Sequence, residues 1–563
     1  MLNNLSGRKK GLEYVSLLEE ENTAKQTRDP ASIAEVFNTH FVDLAENLAD
    51  KCTSTFNPTN VVDFFNKRKT SDTRFTFSPI SVRQTQRMIE AIPSSKATGL
   101  DGISARLLKT AASAIAPSLS KLINICIAGG TFPSAWKEAK VTPIHKGNSK
   151  SDKNNYRPIS VLPVLSKILE RHLHGLLYNF LTENDLLYRL QSGFRKAHST
   201  ETALINLVDR LLLNMDKNCI NGLVFADFQK AFDLVNHQVL LEKLQIYGLE
   251  ENSMALMRSY LCQRKQRTVI GSSQSSSQYL KHGVPQGSVL APLLFLVFIN
   301  DLSEGISPPT AVDIFADDTT LSTFSPYTDI EGTCNQLCKS IEELEIWSKN
   351  NHIKLNTNKT RAMYVTGKRL RNKLSDDHQP KINSSTGDLL DTTTNHKLLG
   401  VYVDQDLSFQ KHIDYICKKL SQRIGLLRSI KHYLPFTERV LFYNAIIKPI
   451  FMYGGSVWGS TSKDNIRRVF KLQKRAARVI LDAKTKETRT VRLFEKLGWL
   501  PFYDELHVNK LCIIYKSLNG QCPEYLSDQI TRVSDISKRS SRHGNITLRC
   551  PKYSRETEGG RTF

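Results

Sequence analysis

Three aspartates have the residue type and the spacing for chemistry. Asp317 and Asp318 are adjacent in IFADDTTLS, residues 314–322, between two apolar runs of strand-like composition. A two-residue hairpin turn at this point puts both carboxylates at a strand tip, where clustered anionic oxygens can hold a hard divalent cation. A DD pair by itself is more often a solvated turn. Asp227 shifts that balance, because it closes the apolar run GLVFA ninety residues earlier. A carboxylate at a strand end, beside a DD hairpin on a neighbouring strand, can build a site for two metals about 3.5–4 Å apart. Such a site stabilises the attacking hydroxyl and the leaving phosphate oxygens of an in-line displacement. Without cations these carboxylates would repel one another, which disfavours a purely structural role for all three.

The elements that must hold them follow from the hydrophobic pattern. Between about Phe75 and Val403, short apolar runs (GLVFADF, VDIFADD, RAMYVT, LLGVYV) alternate with longer stretches of helical period, a mixed α/β pattern. After Asp227 the segment FQKAFDLVNHQVLLEKL is expected to turn helical, and GSSQSSSQ, residues 271–278, reads as a hairpin turn. From about Ser408 to Leu518 the period is nearly all helical, as in DYICKKLSQRIGLLRSI, ERVLFYNAIIKPIF and DNIRRVFKLQKRAARVIL. These shifts divide the chain into a helical, linker-like lead-in over residues 1–70, an α/β body over 71–403 with its core from about 126, and a helical region over 404–520. A basic tail over 521–563 is expected to be flexible.

Charge adds a partner. The chain of 563 residues carries 77 Lys and Arg against 55 Asp and Glu, a net of +22. From Gln410 onward the balance is 30 against 13, so +17 of the excess lies in the last quarter, which points to a polyanion and above all to nucleic acid. A 40% hydrophobic content excludes disorder as the whole answer. The longest apolar run, Ala291 to Ile299, is nine residues, against the roughly 20 of a membrane span. MLNNLSGRKKGLEYV lacks the apolar core of a signal peptide. The ten cysteines include no second Cys/His pair to complete a zinc site with Cys334 and Cys338, so reduced thiols are expected.

The blocks FADFQKAFD (225–233), GVPQGSVLAPLLF (283–295) and FADD (315–318) resemble, in order and spacing, the polymerase motifs of reverse transcriptases. The AFDLVNH run and the FADD form resemble the non-LTR, LINE-type retrotransposon enzymes of the jockey-like groups. Further blocks extend the likeness: SSKATGLDGISARLLK (94–109), FPSAWKEAKVTPIHK (132–146), NNYRPISVLPVLSKILE (154–170), QSGFRKAHSTETAL (191–204), HIKLNTNKTRAMYV (352–365) and HKLLGVYVD (396–404). The resemblance as a whole covers roughly residues 75–480.

The resemblance implies a right-hand polymerase fold, with fingers, an α/β (α+β) palm and a helical thumb, and RNA-directed DNA synthesis from a primer 3′-hydroxyl. Residue by residue it implies metal binding by Asp227, Asp317 and Asp318 with help from the Phe228 carbonyl, using two Mg2+ ions or Mn2+ in their place. Phe232 matches the aromatic gate that leaves no room for a 2′-hydroxyl. Lys146 and Arg157 match the cations that grip an incoming triphosphate, work suited to charge-assisted and bidentate contacts. Gln286, Gly287 and Ser288 match contacts to nucleotide or template, with Gly283 and Gly287 permitting close backbone approach. Lys359 matches the acid proposed to protonate pyrophosphate. Leu399, Gly400 and Val401 match the hairpin that holds the primer end. On the thumb-like stretch 462–482, Ile466, Val469, Phe470, Ala476, Ala477 and Ile480 form a narrow apolar face, opposite Arg467, Arg468, Lys471, Lys474, Arg475 and Arg478 for a phosphate backbone.

The implied partners are an RNA template, a DNA primer or target DNA, and dNTPs, with no membrane. The implied location is intracellular, in nucleus or cytoplasm. Family members carry an N-terminal apurinic-type endonuclease that residues 1–70 are too short to hold, and GGRTF ends where members commonly continue, so a fragment is expected. Two rival readings remain: an inactive retroelement-derived nucleic-acid-binding remnant, and another right-hand polymerase of group II intron or telomerase type.

Overall fold

A computed structural model describes residues 17–20, 23–49, 55–69, 74–374, 381–383, 389–483, 489–533, 547–549 and 552–562. The chain forms two compact units, each discontinuous in sequence. Unit 1 comprises Met1–Tyr188, Phe228–Gly305 and Leu344–Leu355; unit 2 comprises Arg189–Asp227, Ile306–Glu343 and Asn356–Phe563.

Unit 1 is organised on a small sheet. Strand Glu138–His145 pairs antiparallel with Tyr156–Val161 and parallel with Arg264–Ile270, which also carries Ser273–Gln274 and Gln278–Leu280. GSSQSSSQ is therefore the expected hairpin region. Alternation along the first strand turns Ala139 and Val141 inward. Helix Pro30–Ala49 covers that face with Ile33, Phe37 and Phe41 against Val141 and Tyr156. This helix of the lead-in is packed into the unit: Asn38 donates to the Ser276 carbonyl at 3.0 Å and accepts from Gln266 at 3.2 Å.

Helix Ala291–Ile299, apolar on every side, is buried throughout its last seven residues, as such a helix must be. Beside it Lys243 and Asp301 form an ion pair, both at most 1% exposed, and Lys243 also donates to the Phe298 carbonyl at 2.6 Å while Trp347 donates to Asp301 at 3.2 Å.

Unit 2 holds a five-stranded sheet in the order Asp391–Thr392, Arg361–Val365, Cys219–Ala226, Asp318–Pro326, Ala311–Phe315. The central strand Cys219–Ala226 is buried along nearly its whole length, which explains the apolar run GLVFA that ends it. Helix Thr200–Asp216 covers one face through Leu204, Leu207, Val208 and Leu211. On the other face Gly222 lets helix Ile330–Asn350 come close: a Cβ there would lie 2.6 Å from Thr333 and Leu337.

Strands Asn395–Leu398 and Val401–Asp404 make a hairpin whose turn, Leu399 and Gly400, has φ of 45° and 89°. Helices Gln410–Ile430, Lys463–Leu481 and Phe502–Leu518 complete the unit, close to their sequence expectation.

Two local expectations change. The helix after Asp227 begins only at His237, capped by Asn236, because Lys230 enters the left-handed region at φ 47° and residues 229–233 form turns. The region from 521, expected to be flexible, is anchored where it is described. Tyr525 and Leu526 are buried, and Arg555 bonds the Asp216 carboxylate through its amide at 2.7 Å. Residues 534–546 lie outside the described residues. Among the described residues no helix is long and apolar enough to cross a membrane.

Candidate active site

The unit 2 ladder brings two of the three aspartates to one edge. Strand Asp318–Pro326 pairs with Cys219–Ala226 from Thr319 opposite Ala226, so Asp318 and Asp227 extend from the same end of that ladder. Asp318 also pairs with Phe315, which makes Ala316 and Asp317 the two turn residues; Ala316 takes φ 59°. Asp318 is therefore the first strand residue rather than part of the turn.

Asp227 and Asp318 line one cavity of about 470 Å³ with Lys359, Arg361, His396 and Lys397. Asp318 is exposed and the Asp227 side chain is 41% exposed. The loop after Leu355 holds Asp227 in place. Asn356 donates its amide to the Asp227 carbonyl at 2.7 Å and its Nδ2 to Asp227 Oδ2 at 3.0 Å, while the Asp227 amide donates to Thr360 Oγ1 at 3.4 Å. Lys359 Nζ lies 3.9 Å from the same Oδ2 on a side chain that is 71% exposed. Thus Lys359 meets a carboxylate of the site, while Asn356 and Thr360, unremarked in the sequence although inside the LNTNKT block, do the holding.

His396 stacks flat on Phe225, with ring centroids 4.0 Å apart and planes at 6°. Burial, with Arg361 nearby, pushes the pKa of His396 down to about 4, so the ring is neutral at pH 7.

The donors fit a hard cation in kind, since carboxylate oxygens facing open space are what Mg2+ takes. Among the described residues, however, no group of three or more His, Cys, Asp or Glu side chains is gathered to hold a metal.

Beyond His396 and Lys397, the hairpin is tied into unit 2 at its turn. Val401 is fully buried in the core of unit 2, and the Leu399 carbonyl accepts from Tyr453 Oη at 2.7 Å. On helix Lys463–Leu481, Val469, Ala476, Ala477 and Ile480 are buried as expected, with Ile466 and Phe470 partly so. Arg467 and Lys471 are exposed. Arg467 pairs with Asp464 at 2.9 Å on the same helix, Arg468 pairs with Asp414 at 2.5 Å, and Lys474 lies over the Phe470 ring at 4.8 Å. Arg475 is half-buried.

Unit 1 carries the remaining expected residues. Arg157 pairs with Ile144, and the Lys146 amide continues the ladder to the Asn155 carbonyl at 2.7 Å, so Lys146 and Arg157 share the exposed face of this hairpin. Phe232 stacks on Phe295 at 4.3 Å and 18°. Phe228, whose carbonyl is an expected ligand, has its ring buried near Trp347.

Gln286 donates to Asp233 Oδ1 at 2.7 Å, and burial raises the Asp233 pKa against the pull of Lys230, Gln286 and Lys146. Gly287, at φ 140°, has its backbone so close to Ser160 that a Cβ would lie 2.0 Å from that carbonyl oxygen. Ser288 also has a structural task. It is buried, donates to Glu170 at 2.5 Å, and accepts the amides of Leu290 and Ala291 at 3.0 and 3.1 Å, which ties down the start of helix Ala291–Ile299.

Residues 144–403 match the family described as reverse transcriptase (RNA-dependent DNA polymerase). The chain is 31% identical, over 72% of its length and 45% of the relative's, to the probable RNA-directed DNA polymerase from transposon BS of Drosophila melanogaster. It is 28% identical, over 75% and 46% of the two lengths, to the RNA-directed DNA polymerase from mobile element jockey of Drosophila melanogaster. It is 27% identical, over 70% and 38%, to the Pol polyprotein from type-1 retrotransposable element R1 of Bradysia coprophila. The chain thus spans about half the length of these first two curated relatives. Residues 144–403 belong to the reverse transcriptase family, and within it the chain sides with the jockey-like, non-LTR transposon polymerases.

Proposed function

We propose that this chain is the polymerase portion of a non-LTR retrotransposon protein, extending a DNA primer on an RNA template with dNTPs. The observation that carries the reading is the shared cavity of Asp227 and Asp318 at one ladder end, with Lys359 beside them. In this reading the unit 2 sheet is the palm, the helices after Asp404 are the thumb, and the Lys146–Arg157 hairpin belongs to the fingers.

Asp227, Asp318 and Asp317 would hold the Mg2+ ions, whose chemistry is to activate the 3′-hydroxyl and neutralise charge on the phosphate. Asn356 keeps the Asp227 carboxylate oriented by occupying one side of Oδ2. Lys146 and Arg157 bind the triphosphate, and Phe232 excludes ribonucleotides by bulk. The Leu399–Gly400 turn offers backbone to the primer end, and Arg467 and Lys471 meet the duplex phosphates.

The test is extension of oligo(dT) on poly(rA) by the purified chain. Labelled DNA product lengthening with time supports the reading, whereas an inert protein that still binds the duplex supports the remnant reading instead.

A further inference from the structure

Gln191 opens the QSGFR block, yet none of the roles above uses it. Its side chain is 1% exposed and lies in unit 2 against the turn that bears Asp317. Gln191 Oε1 accepts the Ala316 amide at 2.9 Å and the Gly193 amide at 2.8 Å, and its Nε2 donates to the Ala316 carbonyl at 3.3 Å. Both backbone groups of Ala316 are therefore taken by one side-chain amide.

The backbone on either side of this bracket runs as a short ladder: Ile314 donates to the Leu190 carbonyl at 3.1 Å and Ser192 to the Ile314 carbonyl at 2.8 Å. Gly193 permits the approach, since a Cβ there would lie 2.3 Å from the Ala316 nitrogen.

Ala316 needs such support. Its φ of 59° is left-handed, a conformation disfavoured for any residue with a β-carbon, and alanine has no polar side chain to stabilise it locally. The next two residues are Asp317 and Asp318, whose directions depend on this turn.

We propose that Gln191 is a positioning residue for DNA synthesis: its amide brackets Ala316 and so sets how Asp317 and Asp318 leave the turn. The inference rests on the polymerase reading. The planar amide offers an acceptor and a donor at this spacing, and a leucine of similar size would fill the space while leaving both Ala316 groups unpaired.

The test compares wild type, Gln191→Leu and Gln191→Glu by two readouts. The first is amide hydrogen exchange in the metal-free protein, with strand Cys219–Ala226 as the folding control. The second is steady-state primer extension. In Gln191→Leu the Ala316 amide is expected to exchange at least about tenfold faster while the control strand keeps its protection. Its kcat should fall about 30-fold, with KM for dNTP within about threefold. Gln191→Glu keeps an oxygen for both amides but loses the donor to the Ala316 carbonyl, so it should restore the Ala316 amide protection in part and leave kcat between those of Gln191→Leu and wild type.

Unchanged Ala316 exchange or unchanged kcat in Gln191→Leu, beside an active wild type, overturns this inference alone. So does loss of control-strand protection in both variants, which would make Gln191 an ordinary core residue. An inactive wild type overturns the polymerase reading and this inference with it.

Discussion

Asn356 grips Asp227 twice, through its backbone amide to the Asp227 carbonyl at 2.7 Å and through Nδ2 to Oδ2 at 3.0 Å. Because the second bond engages the carboxylate itself, the residue sets which oxygen is left for a cation. Replacing Asn356 by Ala keeps the backbone bond and frees Oδ2. The expected loss in kcat is about 10–100-fold, the usual scale for removing a partner that orients a ligand, with KM for dNTP little changed. Asn356→Asp should be worse, since it sets a second carboxylate against Asp227. Single-turnover kinetics separate the two effects.

Phe232 lies flat on Phe295, so its ring is fixed rather than free to yield to a larger sugar. Phe232→Ala should raise the ratio of ribonucleotide to deoxynucleotide kcat/KM by at least about tenfold, mostly through better use of ribonucleotides. Competing rATP against dATP on a poly(rU) template checks it.

Arg467 and Lys471 are exposed on helix Lys463–Leu481, Arg467 in a highly exposed pair with Asp464 of the same helix, whereas the less exposed Arg468 is tied to Asp414 of helix Gln410–Ile430. Neutralising Arg467 and Lys471 to Ser should lower the slope of log K against log salt for template–primer binding by about two, and Arg468→Ser by less. Fluorescence anisotropy across a salt series reads the slopes; equal slopes in all variants would remove this helix from the nucleic-acid surface.

Lys243 and Asp301 are a buried pair in unit 1, with Lys243 also bonded to the Phe298 carbonyl and Asp301 to Trp347. Burial pulls the Lys243 pKa down and Asp301 pulls it back up. Asp301→Ala should destabilise the unit by about 3–5 kcal/mol, because it strands a buried ammonium. Lys243→Met combined with Asp301→Leu should recover most of the loss, as read from urea midpoints.

His412 is 2% exposed, and its Nδ1 accepts the Tyr402 amide at 3.3 Å. Burial, with Lys397 nearby, pushes its pKa from 6.5 down to about 4. A depressed histidine leaves the unfolded chain as the better proton binder, so its contribution is full above the unfolded pKa and is lost as pH falls toward the folded one. The cost reaches about 3 kcal/mol at the acid end. The fall in Tm from about pH 7 to pH 5 should be shallower for His412→Gln than for wild type.

Local patterns carried much of the architecture into view. The buried strand Cys219–Ala226 and the helices after Gln410 stand in the sequence as an apolar run and a helical period, and the three aspartates stand out by motif order. What escaped are features set by distant partners or by single backbone angles. Asn38 reaches Ser276 across 238 positions and Arg555 reaches Asp216 across 339, contacts no local period encodes. Lys230 breaks the expected helix with one left-handed φ. The helix-tethering bonds of Ser288 are likewise invisible in a GVPQGS block until its burial and partners are seen.

The most direct measurement of the central claim is primer extension on poly(rA)/oligo(dT) by wild type beside Asp227→Asn and Asp317→Asn, each replacing a carboxylate by an isosteric amide. Wild type should synthesise DNA, and each variant should lose at least about 1,000-fold in kcat while binding the duplex with unchanged affinity. Synthesis by either variant at a rate near that of wild type would contradict the assignment of these aspartates as the centre of the reaction.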